Sequence, residues 1–499
     1  MIQRILTLSF ALCAALSPMA QTEQASQRCA TPAHFSPWLS TYLDNPQNHS
    51  GARGAEEIIY LPLAIHTVAD NQGEGHYPIT KIFESICQLN EDFEPYNIQF
   101  YLDGDINRIN RSIYYDHDNF SDGFKMMQSN KKSLAINAFI VNSAPSNACG
   151  YWHPSSDAIA VIKNCMGKSG HTLTHEVGHW LSLPHPFFGW EGKTYDGGLE
   201  TPLFHSVNGN DTLFIESVGG ENCDRAADKF CDTPPDYLSV GWSCNSDNLS
   251  ATILTDPNGQ TFRSDGKNYM SYSSDACQSQ FSPHQVEAMR AYADFAKGFY
   301  VNKDPLIQPV FSDPVVQVYP TPGEQIHYEN VELEWEHHVN ATNYLVQISR
   351  FSFFASVDYE FLVESNVAVV GSLPVDKNYF WRVKPYNPFD ICTDFTDMGG
   401  FSTYDITDIE EIAPSNFVEI YPTYVTAAHP QINLSFTFRD VLRTRLDMYN
   451  SAGQMVQADI LPNPGHSLHK LRLDGLSAGM YFLKVSTEKG VLVKKISVQ

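Results

Sequence analysis

Positive charge is scarce in this sequence: 32 Lys and Arg face 57 Asp and Glu, a formal net charge of −25 over 499 residues. A surface of that sign repels polyanions at long range, and no local basic patch offsets it, so nucleic acid is not expected as a partner. Long apolar runs are missing too. Beyond residues 1–20 no stretch reaches the roughly 18 consecutive apolar residues of a membrane helix, so no transmembrane segment is expected. Low complexity is also absent, since 42% hydrophobic and 18% charged residues describe an ordinary folded chain. The length is several times a typical domain of roughly 100 to 150 residues, which predicts two to four folding units.

Residues 1–20 carry Arg4, a short apolar stretch from Ile5 to Leu16, and small residues at Ser17 and Ala20. This is the pattern of a secretory signal peptide, too short to span a bilayer. Cys13 follows Leu12 where a lipidation signal wants a small residue, which disfavours a lipid anchor. Export places the nine remaining cysteines in an oxidising compartment, and an odd number leaves at least one unpaired or paired between chains. Proximity alone suggests Cys149 with Cys165, Cys223 with Cys231 and Cys244 with Cys277, although six cysteines permit fifteen pairings. Cys87 lies beside an apolar helical stripe and reads as a core thiol rather than a ligand.

Residues 21–53 are polar, without a sustained apolar period, and end at Arg53-Gly54; they read as a removable segment. Ile58 to Val68 reads as a buried strand, and Ile79, Ile82, Phe83, Ile86, Leu89 and Phe93 fall at helical spacing. Strands are expected at Ile98–Leu102, Leu134–Val141 and Ala158–Ile162, and a helix from about Ser169 to Leu183. Together these predict an α+β domain over 54–303, a mixed sheet packed on helices. After Tyr300 the texture becomes Pro-punctuated and strand-forming. Over 308–404, Val331–Trp335, Asn343–Ile348 and Tyr379–Val383 alternate as half-buried strands do, and the segment resembles a fibronectin type III sandwich. Over 417–499 short strands and Gly turns recur, predicting a second all-β sandwich.

The segment His175-Glu176-Val177-Gly178-His179, followed by His185, carries the chemistry. Residues four apart on a helix share a face with Cβ atoms some 5 to 6 Å apart, so two imidazoles can reach one zinc ion. His175 and His179 meet that demand, and Glu176 sits one step round, able to act on a water without ligating the metal. His185 lies beyond a turn at Ser182–Pro184 and supplies a third nitrogen, leaving a fourth position open for water.

This spacing resembles the metzincin zinc peptidases, whose motif has glycine where Ser182 stands; serine there must adopt positive φ at a cost on the order of 1 kcal/mol. Asn268-Tyr269-Met270-Ser271-Tyr272 resembles the family's methionine turn, which implies Met270 as a soft floor beneath the metal and Tyr272 as an oxyanion stabiliser. Among metzincins the sequence resembles the pappalysins through Leu89-Asn90-Glu91-Asp92-Phe93, Thr174, His185-Pro186-Phe187, Cys231-Asp232-Thr233-Pro234-Pro235 and Phe281-Ser282-Pro283-His284-Gln285. That resemblance implies structural calcium, with oxygens from the acidic stretch Asp196 to Asp232 unless that stretch is merely solvated. It implies latency as well. Arg28-Cys29-Ala30-Thr31 resembles a cysteine switch, in which Cys29 holds the open zinc position until cleavage near Arg53-Gly54; the alternative is a Cys29 that is disulfide-bonded or free. A preference for a basic residue beside the scissile bond is implied too.

The C-terminal segment carries Gly479-Met480-Tyr481-Phe482-Leu483-Lys484-Val485 and Lys494-Lys495-Ile496-Ser497-Val498. It resembles the sorting domain of type IX secretion, although Thr423-Tyr424 replaces the usual Asn-Pro after Tyr421-Pro422; a binding sandwich is the alternative. The expectation is a zinc endopeptidase acting on proteins or peptides, secreted or attached to the cell surface after outer-membrane export. The rival is a surface adhesin with a vestigial metal site, against which the intact Glu176 argues.

Overall fold

The computed structural model describes residues 28–33, 35–49, 56–207, 211–302, 305–307, 309, 315–404, 418–426, 429–437, 443–462, 464–487 and 490–499. The expected signal peptide at 1–20 and the Arg53-Gly54 junction lie outside the described residues.

The first sheet is built from β1 (Ile59–Ala69), β2 (Ile98–Leu102), β3 (Asn107–Asn110), β4 (Ile136–Val141), β5 (Gly150–His153) and β6 (Ala158–Ile162). Its order is β2-β1-β4-β6-β5, with β3 on the far half of β1. Every pair is parallel except β5 with β6, so the sheet is mixed and β5 is its antiparallel edge. β1 and β4 are buried almost end to end, as central strands of a covered parallel sheet must be. The apolar stripe Ile79, Ile82, Phe83, Ile86, Leu89, Phe93 forms one face of α2 (Ile79–Phe93) and packs into the core beneath that sheet. Helices Thr172–Trp180 and Pro283–Phe295 close the same core.

Two sequence expectations change. The histidine-bearing helix is shorter than 169–183, because Ser169 (φ 65°) and Ser182 (φ 83°) are left-handed and α geometry cannot pass through them. The supposedly aperiodic 21–53 segment contains α1 (Pro37–Asp44), capped by the Ser36 hydroxyl accepting from Leu39 N, with Pro37 in its first turn. Its Leu39 and Tyr42 enter the main core. Eight residues are too few for an apolar period to register.

Two β-sandwiches follow, each a three-stranded sheet facing a five-stranded one. The first buries Trp335, Trp381, Tyr344, Tyr379 and Val346; the second buries Ile432, Leu434, Leu446, Leu483 and Ile496. Glu332 and Glu334 of the first meet Arg443 of the second, and Glu332 also meets Arg445.

The first sandwich is fastened to α2. Cys87 is not a core thiol but is bonded to Cys392, 305 residues away, a partner that chain proximity cannot suggest. Cys149–Cys165, Cys223–Cys231 and Cys244–Cys277 pair as neighbours, which leaves Cys29 the free cysteine among the described residues. Pro78 offers no side-chain cap to α2. Glu360 supplies it from the sandwich, accepting from Ile79 N at 2.5 Å and Thr80 N at 3.1 Å, a carboxylate against the positive end of the helix. Tyr386 and Ile391 continue the core beneath the first sheet.

Glu360→Ala should therefore cost about 1 kcal/mol and lower Tm by roughly 2–4 °C in thermal unfolding followed by circular dichroism. An unchanged Tm would show that the cap contributes nothing.

Candidate metal centre

All nine residues of the Thr172–Trp180 helix are buried. His175 and His179 share one face, and the chain then leaves the helix through Ser182, whose positive φ is where the sequence argument needed it. Leu183 N donates to Gly178 O at 3.0 Å, closing the turn that delivers His185. Gly178 is required by close packing: a Cβ there would come 2.4 Å from Met270 Sδ, which lies directly beneath the helix. Met270 is fully buried.

Each imidazole is oriented through Nδ1. His175 donates to Tyr269 O at 2.8 Å, His179 to Leu183 O at 2.8 Å, and His185 to Glu191 Oε1 at 3.2 Å. With those protons fixed, every Nε2 presents a lone pair inward. His179 Nε2 and His185 Nε2 stand 3.0 Å apart, and His175 Nε2 is buried without a hydrogen-bond partner. Burial first, and the charge of His185 next, push His175 and His179 well below the ordinary imidazole value, so both rings are neutral. Converging lone pairs in a buried cluster repel one another unless a cation lies between them. The donor set suits zinc: the ligand atoms of Cys29, His175, His179 and His185 all lie within 4.8 Å of one another.

Cys29 Sγ is 3.6 Å from His179 Nε2. Burial, followed by Glu176, holds its thiol well above the ordinary value, a preference that a bound divalent cation reverses. Residues around it pair with the sheet edge: Ala30 N donates to Gly150 O at 2.9 Å, Cys149 N to Arg28 O at 3.0 Å, and Trp152 N to Thr31 Oγ1 at 2.8 Å. Arg28 forms an ion pair with Asp275, which follows the Met270 turn.

Glu176 is fully buried beside the cluster, and burial pushes its carboxyl up to about 8. Its Oε2 accepts from the Thr31 hydroxyl at 3.1 Å, while Oε1 has no partner. The edge must come close here, since a Cβ on Gly150 would sit 3.0 Å from Glu176 Oε1. The Tyr272 hydroxyl donates to Cys29 O at 2.6 Å, and burial holds it well above the ordinary phenol value.

Every sequence-predicted residue of the site is thus brought to one place, Cys29 included. Several partners had no signal in the sequence. Asp92 accepts from His171 Nδ1 (2.7 Å), Thr174 Oγ1 (2.5 Å) and the Tyr269 hydroxyl (3.1 Å), tying α2 to the helix and to the turn that orients His175. It stood inside a quoted motif without a role. Glu191 orients His185, and Thr31 engages Glu176; neither is marked by periodicity.

Within the stretch Asp196–Asp232, Glu216 and Asp228 are 3% and 1% exposed, and Asp236 just beyond it is 3% exposed. Burial, then Asp228 and Asp236, pushes Glu216 up to about 9, and its Oε2 is buried without a partner.

Residues 158–294 match the peptidase family described as pregnancy-associated plasma protein-A, and residues 419–499 match the secretion system C-terminal sorting domain. An extracellular metalloprotease of Verticillium alfalfae is 26% identical over 253 residues, covering 47% of this chain and 78% of its own length. Others from Colletotrichum graminicola (26% over 316 residues) and Pyricularia oryzae (24% over 318 residues) cover 57% and 58% of this chain and 97% of their own lengths. The chain carries a pappalysin-type metallopeptidase domain, which contains all three histidines and Glu176, and a C-terminal secretion sorting domain.

Proposed function

We propose that this chain is an exported zinc endopeptidase held latent by its own N-terminal segment. The observation that carries the reading is the convergence of three buried imidazoles, each tethered at Nδ1, on a point that a buried thiol also faces. His175, His179 and His185 would hold zinc through Nε2, with Cys29 Sγ as fourth ligand in the latent chain and Met270 as the floor. In this reading residues 1–20 are the signal peptide, 21–53 the inhibitory segment, 54–303 the catalytic domain, 308–404 a fibronectin type III-like spacer and 417–499 the domain read by the type IX machinery.

When bound, zinc supplies Lewis acidity toward a scissile carbonyl and an attacking water. The rest is done by the chain. Loss of residues 21–53 removes the thiol, frees Glu176 Oε2 from Thr31 and frees the Tyr272 hydroxyl from the Cys29 carbonyl. The β5 edge then offers Gly150 O and Trp152 N to a substrate backbone, as it does to residues 28–31. Glu176 takes the proton of the attacking water and passes it to the leaving amine. Tyr272 donates to the tetrahedral oxyanion. The Arg28–Asp275 pair supports a preference for a basic side chain beside the scissile bond, with Asp275 as its partner. In this reading calcium would take its oxygens from the acidic stretch, with the buried carboxylates Glu216 and Asp228 as candidates.

Glu176→Ala is expected to keep zinc and fold while losing about 10²- to 10⁴-fold in kcat on a protein substrate; normal turnover would remove this mechanism. In peptide-library profiling Asp275→Asn should lose the discrimination between Arg and Ala beside the cut, and an unchanged profile would reassign that pocket. Excess calcium should raise Tm of the wild type, by about 2.7 kcal/mol of added stability at 100 times Kd, and leave Glu216→Gln unmoved. A calcium response equal in both proteins would place the ion elsewhere.

A further inference from the structure

The cleft that receives the N-terminal segment extends well past the metal face. A cavity of about 360 Å³ opens beside His179 and His185, and Thr31, Ser36 and Trp38 form one of its walls. Phe188 and Tyr292 stand on the protein side of it. At the far end two aromatic side chains fix the segment. Phe35 meets Phe188 edge-on at 5.5 Å between centroids, with the Lys229 ammonium 4.6 Å over its ring. Trp38 meets Tyr292 edge-on at 4.9 Å.

These contacts lie six and nine residues beyond Cys29, and they are not what places the thiol. The thiol is already set locally by the Gly150 pairing and by the Arg28 and Thr31 side chains. Aromatic edge-to-face pairs and a cation over a ring each contribute beyond simple burial, so the far end is a recognition site in its own right.

We propose that Phe188, Lys229 and Tyr292 form a remote docking site for aromatic side chains of protein substrates, filled by Phe35 and Trp38 while the N-terminal segment is in place. The proposal rests on the latent-peptidase reading. Its occupant follows from continuity: the β5 edge that pairs with residues 28–31 is the edge a substrate backbone would use, and the cavity runs from His179 and His185 to Tyr292. A chain led along that edge past the metal arrives at these rings. The Lys229 ammonium favours a π face and repels a cationic side chain, which selects aromatic over basic residues at this end. Departure of the segment would uncover Phe188 and Tyr292 beside Phe295, which is already 49% exposed.

The test uses two labelled peptides with the sequence of residues 31–49, one native and one with Phe35→Ala and Trp38→Ala. They are titrated by fluorescence polarisation onto the full chain after its N-terminal segment has been removed by limited proteolysis. Both lack Cys29, so neither depends on the metal. The native peptide should bind at least tenfold more tightly, and Tyr292→Ala or Lys229→Ala should erase the difference. A cleavable peptide with aromatic residues at that reach should displace it, and should show a lower KM than its alanine counterpart with kcat unchanged. Equal binding of the two peptides overturns the proposal. Equal kcat/KM for the aromatic and alanine substrates overturns it as well, reducing the rings to a latch for the chain's own segment. Should no peptide be cleaved while the binding difference persists, the peptidase reading fails and the docking site stands.

Discussion

Three imidazole rings whose Nδ1 protons are committed elsewhere are forced to turn their Nε2 atoms toward one another in a buried cluster. Backbone oxygens of Tyr269 and Leu183 and the Glu191 carboxylate fix the Nδ1 protons of His175, His179 and His185. What remains is a concentration of lone pairs that a cation relieves. The surrounding structure serves that arrangement. Gly178 lets Met270 close the floor, Ser182 accepts a left-handed backbone to bring His185 round, and Gly150 lets the sheet edge approach Glu176.

The arrangement is supported from a distance. Asp92 couples α2 to His171, to Thr174 and to Tyr269, whose carbonyl in turn orients His175. At its other end α2 is capped by Glu360 and cross-linked through Cys87 to Cys392. The β-sandwich is therefore part of the frame that fixes the imidazoles, and the peptidase domain does not define its own rigidity.

What could be read from sequence was whatever is local and periodic. The α2 stripe from Ile79 to Phe93, and the strands Ile98–Leu102 and Ala158–Ile162, stand where apolar spacing put them, and the histidine spacing announced a metal site before any coordinate. Two of the failures share one cause, which is separation along the chain. Cys87 looked like a core thiol because its partner is 305 residues away, and Glu360 caps a helix in another folding unit. Thr31 and Glu191 act through single hydrogen bonds that leave no pattern. α1 is eight residues long, below the length at which amphipathicity becomes visible, yet its Leu39 is fully buried.

The cross-link between Cys87 and Cys392 also spans the other three. Along the chain, six cysteines that pair with near neighbours lie between Cys87 and its mate. A fragment ending anywhere before residue 392 lacks the partner of Cys87. The anchorage of α2 is thus chemically unfinished in any chain that lacks most of the first sandwich.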